Sequence, residues 1–430
     1  MHRAQGQYSV QKIDNFTKLA EETIARCRRL ALFSEDACGT RRTFLSPPMK
    51  DCHREISTWM KALGMSVSVD AAGNLRGVYP GASPGAPRLI VGSHLDTVPN
   101  AGAFDGILGV VLAITLLKSL DGLQLPFAIE VVGFSEEEGV RFGVPFIGSR
   151  ALVGQVDQEL LDRSDEHGVS VRKAIQDFGL HAEEIPAAKM TDDVLCYVEF
   201  HIEQGPVLEN LGRALGIVEA IVGQNRLEFT FSGHANHAGT TPMRLRHDAL
   251  AAAAEWIVAV ETAARETPDL VATVGFVQAK PGAVNVIAGE VLATLDIRHA
   301  SDAIRAQALD DLIRRAQAIA AKRTVSVEWR TLLAQDAVAM DPFLTNQIEH
   351  AIRSSGCQPH RMTSGAGHDA MILAEKVPSA MIFLRSPGGI SHDPAESVHL
   401  DDVAKALDCG FQLLTQLASS QEFLGRTSRA

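Results

Sequence analysis

Short apolar runs alternate with amphipathic segments along most of the chain. Runs typical of buried strands lie at 89–92, 127–134, 195–202 and 377–384. Segments with the apolar spacing of helices lie at 13–32, 56–63, 107–120, 342–354 and 400–417. Because strands that alternate with helices form sheets covered on both faces, this pattern predicts an α/β domain.

The pattern changes near residue 212. Strand-like segments follow at 214–222, 226–232, 270–277 and 290–298, and two long helical segments follow at 247–266 and 301–322. Such a mixture is typical of a small α+β domain inserted into the larger one. We therefore expect a large domain formed by residues 1–212 and 332–430, with an insertion at 213–331.

Composition narrows the class of protein. The chain has 430 residues and a net charge of −12, which argues against a non-specific nucleic-acid binder because phosphate contacts need a basic surface. Its six cysteines include no CxxC pair, so we expect reduced thiols rather than a cysteine zinc site or a disulfide framework. Residues 1–11 lack an apolar signal core, and the apolar run 106–117 is too short for a membrane span. These features favour a cytoplasmic protein.

Histidines and carboxylates cluster where apolar strands end or where Gly and Pro mark turns. These residues are His94, Asp105, the run Glu136–Glu138, His201 and His392. Nitrogen and carboxylate ligands suit Zn²⁺ or Mn²⁺, an aspartate can bridge two ions, and a carboxylate that is not a ligand can accept a proton from water. Each residue alone has an ordinary explanation: a hydrogen-bonded strand-end histidine, a solvated glutamate run or a turn residue. The coincidence of all these clusters favours a metal site.

Seven motifs together carry a family resemblance. In chain order they are His94–Val98, Phe104–Gly106, Glu137–Phe142, His201–Gly205, His237–Met243, Ser364–Ala370 and Gly389–His392. They resemble the amidase, hydantoinase and carbamoylase family, within the aminoacylase and carboxypeptidase clan of metallohydrolases. The resemblance covers nearly the whole chain. It implies a metallopeptidase-like α/β catalytic domain with a mixed sheet and flanking helices, formed by 1–212 and 332–430, and an α+β lid and dimerisation domain at 213–331.

The resemblance also implies a centre of two divalent ions, Zn²⁺ or Mn²⁺, in each subunit. Its expected ligands are His94, Asp105, Glu138, His201 and His392. Asp105 would bridge the ions, and Asp96 would orient His94. Glu137 corresponds to the general base. An assignment shifted by one, with Glu136 as the base and Glu137 as the ligand, stays open, although the spacing to Gly139 favours the first.

Further matched residues point to a ureido-carboxylate substrate. Arg298, Arg226 and Asn285 correspond to residues that hold its carboxylate, and Gln224 and His368 are additional candidate contacts. A strand-end salt bridge for Arg298, a turn for Asn285 and a buried core position for His368 are the ordinary alternatives.

His237 corresponds to a histidine that stabilises the oxyanion on the substrate carbonyl, often from the partner subunit of a homodimer. A turn histidine beside Gly239 is the alternative to this role. The neighbouring His234 is expected to be structural.

The expected reaction is metal-dependent hydrolysis of a terminal ureido C–N bond. Among the family's substrates the motifs favour allantoate, a compound of purine catabolism, with ureidoglycine, ammonia and CO₂ as products. N-carbamoyl-L-amino-acid hydrolase and β-ureidopropionase are the alternatives within the family. Outside it stand an aminoacylase or metallopeptidase and a non-catalytic binding protein. We expect a small-molecule substrate and a homodimer, with neither nucleic acid nor membrane as a partner.

Overall fold

A computed structural model describes residues 2–428, with side chains from residue 15 to residue 426. The chain forms two compact units. The larger unit runs up to Glu219 and includes Met340–Met362 and the chain from Gly367 onward. The smaller unit comprises Ala220–Ala339 and Thr363–Ala366. Each unit has its own apolar core.

Thirteen helices and sixteen strands lie in the described part of the chain. The helices are α1 (His2–Ala31), α2 (Pro47–Ala62), α3 (Ile107–Ser119), α4 (Ile147–Val153), α5 (Gln158–Asp162), α6 (Val171–Phe178), α7 (Val207–Asn210), α8 (Ala249–Glu266), α9 (Asp302–Lys322), α10 (Pro342–Ser354), α11 (Asp369–Leu373), α12 (Leu400–Ser419) and α13 (Gln421–Leu424). The strands are β1 (Ser66–Val69), β2 (Leu75–Tyr79), β3 (Arg88–His94), β4 (Ala128–Phe134), β5 (Val194–Ile202), β6 (Leu215–Ile221), β7 (Gly223–Ser232), β8 (Asn236–His237), β9 (Val271–Thr273), β10 (Val277–Lys280), β11 (Val286–Ile287), β12 (Glu290–His299), β13 (Ser326–Gln335), β14 (Val338–Ala339), β15 (Arg361–Ser364) and β16 (Ser379–Leu384). Short 3₁₀ turns span Ala182–Ala188, Met243–Leu245, Pro387–Gly389 and Gly425–Ser428.

The large sheet is mixed, as the sequence predicts. Its strand order is β1-β2-β4-β3-β5-β16-β6-β14, with β15 beside β6. The four central strands β4, β3, β5 and β16 are parallel, whereas β1, β2 and β6 pair antiparallel with their neighbours. The parallel strands therefore present their carboxyl ends at one edge of the sheet, where ligands of α/β proteins bind.

The central strands are almost entirely buried because they are apolar on both faces. Every residue of β4, β5 and β16 is buried, which is the pattern expected of parallel strands covered by helices on both sides. Helix α3 packs on β3 and β5 and is buried from Ile107 to Leu117. The four apolar runs of the sequence correspond to β3, β4, β5 and β16.

One strand was assigned to the wrong domain by the sequence pattern. The segment 214–222, expected to open the small domain, is β6, which pairs antiparallel with β16 in the large sheet. Apolar periodicity predicts a strand but carries no information about which sheet the strand joins. The smaller unit consequently begins after Glu219, and it extends to Ala339 because β13 continues to Gln335.

The smaller unit is an α+β structure. Strands β10-β12-β7-β13 form its sheet in that order, with β9 also paired to β12. Helices α8 and α9 pack on this sheet, and Trp256 of α8 lies buried against Phe229 and Phe231. The segment 270–277, expected as a single strand, is two short strands, β9 and β10. Both strands pair with β12, but their registers differ by one residue, so the pairing is irregular between Thr273 and Val277.

None of the helices between residues 2 and 428 combines the length and the apolarity that a membrane span requires. All six cysteines are free thiols.

Candidate metal centre

The five expected metal ligands meet at the carboxyl edge of the four parallel strands. His94 is the last residue of β3, and His201 is the second-to-last residue of β5. The pair Glu137–Glu138 follows β4, and His392 follows β16. Because these strands are neighbours in the sheet, residues separated by up to 298 positions in the chain become adjacent.

The first group of ligand atoms belongs to His94, Asp105 and His201, which are all buried. The two Nε2 atoms of the histidines lie 3.3 Å apart. Oδ1 of Asp105 lies 3.3 Å from Nε2 of His201 and 3.9 Å from Nε2 of His94. These three side chains have the nitrogen and oxygen atoms and the proximity that a divalent cation needs.

The second group uses the other oxygen of the same aspartate. Oδ2 of Asp105 lies 3.2 Å from Nε2 of His392, and Oε1 of Glu138 lies 3.5 Å from that nitrogen. The ligand atoms of Asp105, Glu138 and His392 all lie within 4.8 Å of one another. Asp105 thus faces one group with Oδ1 and the other with Oδ2, which is the placement of a bridging carboxylate.

The hydrogen bonds of the two buried histidines leave their Nε2 atoms facing the cluster. Nδ1–H of His94 donates to the backbone carbonyl of Asp96 at 3.0 Å, and Nδ1–H of His201 donates to the carbonyl of Ile202 at 2.8 Å. In the neutral imidazoles each Nε2 then carries a lone pair. Two lone pairs and the Asp105 carboxylate converge on one small volume, an arrangement that a cation stabilises.

The charges of the cluster also favour an added positive charge. Burial acts to lower the pKa of His94, but Asp96, Glu137 and Asp105 raise it well above its usual value. Burial, followed by the charge of Asp105, raises the pKa of Glu138 to about 7. Carboxylates held this close to one another repel unless a proton or a metal ion neutralises them. The residues therefore fit a divalent metal centre.

Asp96 contacts His94 and also the segment that carries the glutamates. Its backbone carbonyl accepts the His94 bond described above, and its Oδ1 lies 3.5 Å from Nδ1 of His94. The two carboxylate oxygens accept the backbone N–H groups of Glu137 at 2.9 Å and of Glu138 at 3.0 Å. Asp96 therefore fixes the ends of β3 and β4 relative to each other.

The three successive glutamates have different surroundings. Ligand atoms of Glu137 and Glu138 lie within 4.8 Å of one another and of His94, whereas Glu136 belongs to no such group among the described residues. Glu136 is fully buried, and burial raises its pKa well above the usual value. Burial likewise raises the pKa of Glu137 well above its usual value.

Close packing around His94 depends on a glycine. Gly106, immediately after Asp105, has a φ of +65°, and a Cβ at this position would overlap the His94 ring. Only glycine adopts this backbone conformation without strain and leaves space for the imidazole. The close approach of this backbone to the His94 ring thus requires a glycine at position 106, directly before α3.

Sequence reasoning missed Gln204. Its side-chain amide nitrogen lies 3.0 Å and 3.1 Å from the two oxygens of Asp105 and 3.4 Å from Nε2 of His392. The residue has a φ of +59°, uncommon for glutamine. A polar residue in the turn that follows His201 was the available signal.

A buried polar group beneath the centre was also missed. Glu199 accepts hydrogen bonds from Oγ of Ser93 at 2.9 Å, from the hydroxyl of Tyr197 at 3.0 Å and from the backbone N–H of Ala370 at 3.1 Å. Tyr197, Glu199 and His201 alternate along β5, so they share one face of the strand. That alternation within an otherwise apolar run was a signal in the sequence.

His368 lies in the larger unit and is buried. Its ring is 4.5 Å from the ring of His201 and 5.6 Å from that of Phe383. Burial lowers the pKa of His368 well below its usual value. This is the core position that the sequence left open as the alternative to substrate binding.

The expected carboxylate-binding arginines lie together in the smaller unit. Arg298 of β12 donates from Nε and Nη2 to the two oxygens of Asp296, at 2.7 Å and 2.9 Å, and from Nη1 to the carbonyl of Gly365. Nε of Arg226 also donates to Asp296, at 3.0 Å. Gln224 is the pairing partner of Arg298 in the β7–β12 ladder, which places it beside them. The ordinary salt bridge weighed for Arg298 is therefore present.

The two-stranded ribbon of β8 and β11 brings His237 close to Asn285, the residue before β11. The backbone N–H of Ala238 donates to the carbonyl of Asn285, and both candidate side chains are exposed. The backbone N–H groups of Gly239 and Thr240 donate to Nδ1 of His237 at 3.0 Å and 3.1 Å. Because Nδ1 accepts, the proton of the neutral ring lies on Nε2.

Residues 90–416 match the model of peptidase family M20/M25/M40. The chain belongs to this family. The matched region contains all five candidate ligands and the entire smaller unit. The family match therefore covers the residues that form the candidate metal centre.

Two named enzymes and one crystal structure are similar to most of this chain. The chain is 39% identical over 425 residues to an allantoate deiminase of Arabidopsis thaliana, covering 90% of this chain and 80% of that protein. It is 40% identical over 369 residues to an N-carbamoyl-L-amino acid amidohydrolase of Geobacillus stearothermophilus, covering 85% and 90%. A crystal structure of a hydantoinase/carbamoylase-family amidase from Burkholderia multivorans superposes with a TM-score of 0.88 at 32% identity, covering 92% and 97%.

These relatives confirm the family resemblance, the fold class and the prediction that this M20 chain is an enzyme of the amidohydrolase type. The predicted function agrees with the names of the relatives, which include an allantoate deiminase and an N-carbamoyl-L-amino acid amidohydrolase. Divalent metal use is consistent with the family and with the candidate ligand groups.

Proposed function

We propose that the chain hydrolyses the terminal ureido C–N bond of a ureido-carboxylate, with allantoate as the preferred substrate. The observation that carries this proposal is the convergence of the lone pairs of His94 and His201 with both oxygens of Asp105. A centre of this kind activates water for attack on an unreactive carbonyl carbon.

The proposed ligand sets divide the five residues between two ions. His94, Asp105 and His201 would hold one ion, and Asp105, Glu138 and His392 the other, with Zn²⁺ or Mn²⁺ suited to these nitrogen and oxygen ligands. When bound, divalent ions lower the pKa of water and polarise a carbonyl group.

Glu137 is the proposed general base. It lies beside the candidate ligands, within reach of a water molecule at the centre, and burial raises the pKa of its carboxyl well above its usual value. In this role it takes a proton from the attacking water and delivers it to the leaving nitrogen. Glu138, and not Glu137, shares a candidate ligand group with Asp105 and His392, which supports this assignment over the one shifted by a residue.

His237 is the proposed oxyanion donor. The two backbone N–H groups that bind its Nδ1 leave Nε2–H as a hydrogen-bond donor, and the side chain is exposed. A neutral imidazole N–H directed at the carbonyl oxygen stabilises the charge that develops during attack. We propose that it acts on the substrate bound by the partner subunit.

Arg298, Arg226, Asn285 and Gln224 are the proposed contacts of the substrate carboxylate. Asp296 holds the two guanidinium groups side by side, which orders them before a ligand arrives. His368 is better suited to positioning His201 than to touching substrate, because it is buried against that ring.

Water adds to the terminal ureido carbon of allantoate, the bond from that carbon to the terminal nitrogen breaks, and ammonia leaves. The resulting carbamate loses CO₂ and yields ureidoglycine. N-carbamoyl-L-amino acids are the second candidate substrates, because a relative with 40% identity carries that name.

A substrate panel tests this proposal. Purified enzyme loaded with Mn²⁺ is supplied separately with allantoate, several N-carbamoyl-L-amino acids, N-carbamoyl-β-alanine and a dipeptide. Ammonia release from the ureido compounds and amino-acid release from the dipeptide are measured as kcat/KM. We expect the highest value with allantoate. A higher value with a carbamoyl amino acid would transfer the assignment to that substrate, and hydrolysis of the dipeptide alone would contradict ureido chemistry.

We also propose a homodimer formed through the smaller unit. Most exposed large apolar side chains of the described residues lie in that unit, including Met243, Val258, Val271 and Leu332. Exposed apolar surface of this kind marks interaction sites. Sedimentation equilibrium is expected to show a dimer, and a monomer at working concentration would contradict the proposal.

The free thiols support the predicted cytoplasmic setting.

A further inference from the structure

Glu396 joins two segments of the metal centre that are far apart in the chain. The residue lies four positions after His392 and is 5% exposed. Its Oε1 accepts the backbone N–H of Phe104 at 2.7 Å and that of Asp105 at 3.0 Å. A buried carboxylate that accepts two backbone N–H groups is a strong link because the N–H dipoles stabilise its charge.

The surroundings of Glu396 are shaped to fit its carboxylate. A Cβ on Gly102 would overlap Cβ of Glu396, so a glycine at 102 leaves the space that the glutamate occupies. Oε2 lies 3.5 Å from Oγ of Ser391, the residue before His392. Both oxygens are thus directed at segments that carry a candidate metal ligand.

The His392 segment needs an anchor. His392 has a φ of +57°, and the side chain is 47% exposed, whereas those of His94, Asp105 and His201 are 1–2% exposed. Such a backbone conformation persists only when neighbouring structure imposes it. The N–H of Glu396 donates to the carbonyl of Asp393, so Glu396 closes a tight turn that directly follows His392.

We propose that Glu396 is a positioning residue that fixes His392 relative to Asp105 and thereby completes the second metal site. The proposal rests on the proposed metal centre and extends it to a residue that contacts no ion. Loss of the Glu396 carboxylate would leave two buried N–H groups without an acceptor and free the His392 turn. The protein would then bind the ion at Asp105, Glu138 and His392 less tightly. Its affinity for the ion at His94, Asp105 and His201 would decrease less.

Metal content of matched variants tests this role. Glu396→Ala removes the acceptor, whereas Glu396→Gln retains a carbonyl oxygen that can accept the same two N–H groups. Asp248→Ala is the control, because Oδ1 of Asp248 also accepts two backbone N–H groups, from Leu250 and Ala251, but in the smaller unit. Each full-length variant is loaded with Co²⁺, dialysed and analysed for metal per chain, visible spectrum and thermal unfolding.

We expect two ions per chain in the wild type, in Glu396→Gln and in Asp248→Ala, the last with a lowered Tm. Glu396→Ala is expected to retain one ion and to bind the second about 10- to 100-fold more weakly, as for other residues that position metal ligands. If Glu396→Ala does not fold, Gly102→Ala, which displaces the carboxylate without removing it, is expected to show the same selective loss.

The outcomes separate this inference from the metal centre itself. Two ions bound with wild-type affinity in Glu396→Ala or in folded Gly102→Ala would overturn the role of Glu396 and leave the centre intact. Equal loss of the second ion in Asp248→Ala would also overturn it, because the effect would then follow stability alone. A wild type without bound metal would instead overturn the proposed centre.

Discussion

The carboxylate of Asp96 accepts the backbone N–H of Glu138 at 3.0 Å. Its other oxygen accepts the N–H of Glu137, and its backbone carbonyl accepts Nδ1–H of His94. A single residue after β3 therefore orients one candidate ligand from its own strand and holds the segment that supplies the proposed base and another ligand from β4.

Asp96→Asn is expected to lower kcat/KM and metal affinity by about 10- to 100-fold. The amide group of asparagine directs N–H donors at one of the two backbone N–H groups, so one hydrogen bond becomes a repulsive contact. Steady-state kinetics and metal titration measure the effect. Asp248→Asn, which alters a similar backbone contact in the smaller unit, is expected to keep both values, and wild-type behaviour of Asp96→Asn would contradict the role.

Glu137→Gln is expected to keep bound metal and to lose turnover by a factor on the order of 10²–10⁴, the contribution of a general base. The neighbouring Glu136→Gln is the matched control. It replaces a buried carboxyl that belongs to no candidate ligand group, so bound metal and turnover are expected to stay. The reverse pattern, with Glu136→Gln inactive and Glu137→Gln active, would move the base by one residue.

His237→Ala is expected to lower kcat by about 10²–10³-fold without loss of metal, as removal of an oxyanion donor does. His234→Ala, at an exposed neighbouring position, serves as the control and is expected to stay active. Mixing inactive His237→Ala with inactive Glu137→Gln tests action between subunits. Recovered activity in the mixed dimer is the expected result, and none after subunit exchange would place His237 on its own subunit's substrate.

Arg298→Lys is expected to raise KM for the substrate more than it lowers kcat. A lysine ammonium cannot reproduce the two parallel hydrogen bonds of a guanidinium with a carboxylate. Arg330→Lys alters another arginine–carboxylate pair on the same sheet, with Glu228, and is expected to leave KM unchanged. Equal KM values for the two variants would remove Arg298 from the substrate site.

His53 of α2 provides a pH dependence that is separate from catalysis. Burial, with a further contribution from Arg42, lowers its pKa to about 4 from 6.5. The unfolded chain binds this proton more readily than the folded chain. The full contribution of His53 to stability is therefore present above pH 6.5 and is lost as the pH decreases toward 4. At pH 5 this effect lowers the free energy of unfolding by about 2 kcal/mol.

Urea unfolding at pH 7 and pH 5 measures this effect. His53→Leu places an apolar side chain against Phe178, and a leucine side chain cannot be protonated. The variant is expected to lose less stability than the wild type between the two pH values. Identical pH dependence of the two proteins would show that His53 is not the titrating group.

Four of the five candidate ligands could be predicted to lie together because each lies at or after the end of an apolar run that forms a parallel strand. His94, Glu138, His201 and His392 therefore had to meet once β3, β4, β5 and β16 became neighbours. Asp105 differs, because it ends no strand and lies in the connection just before α3.

Other features depend on contacts that no local pattern encodes. Glu396 binds N–H groups 291 and 292 residues away, and the turn that places Gln204 on Asp105 depends on an uncommon backbone conformation. The sheet to which β6 belongs was mispredicted because an alternating pattern does not specify its partner. Arg298 and Asp296 lie two residues apart on β12 and therefore share one face of the strand, whereas the register between β7 and β12 brings Arg226 to Asp296.

The most direct test of the central claim is an anomalous difference map from crystals of metal-loaded protein, collected at the absorption edge of the metal. We expect two peaks in each chain, one bounded by His94, Asp105 and His201 and the other by Asp105, Glu138 and His392. Peaks elsewhere, or none at full metal occupancy of the solution, would contradict a binuclear centre built from these five residues.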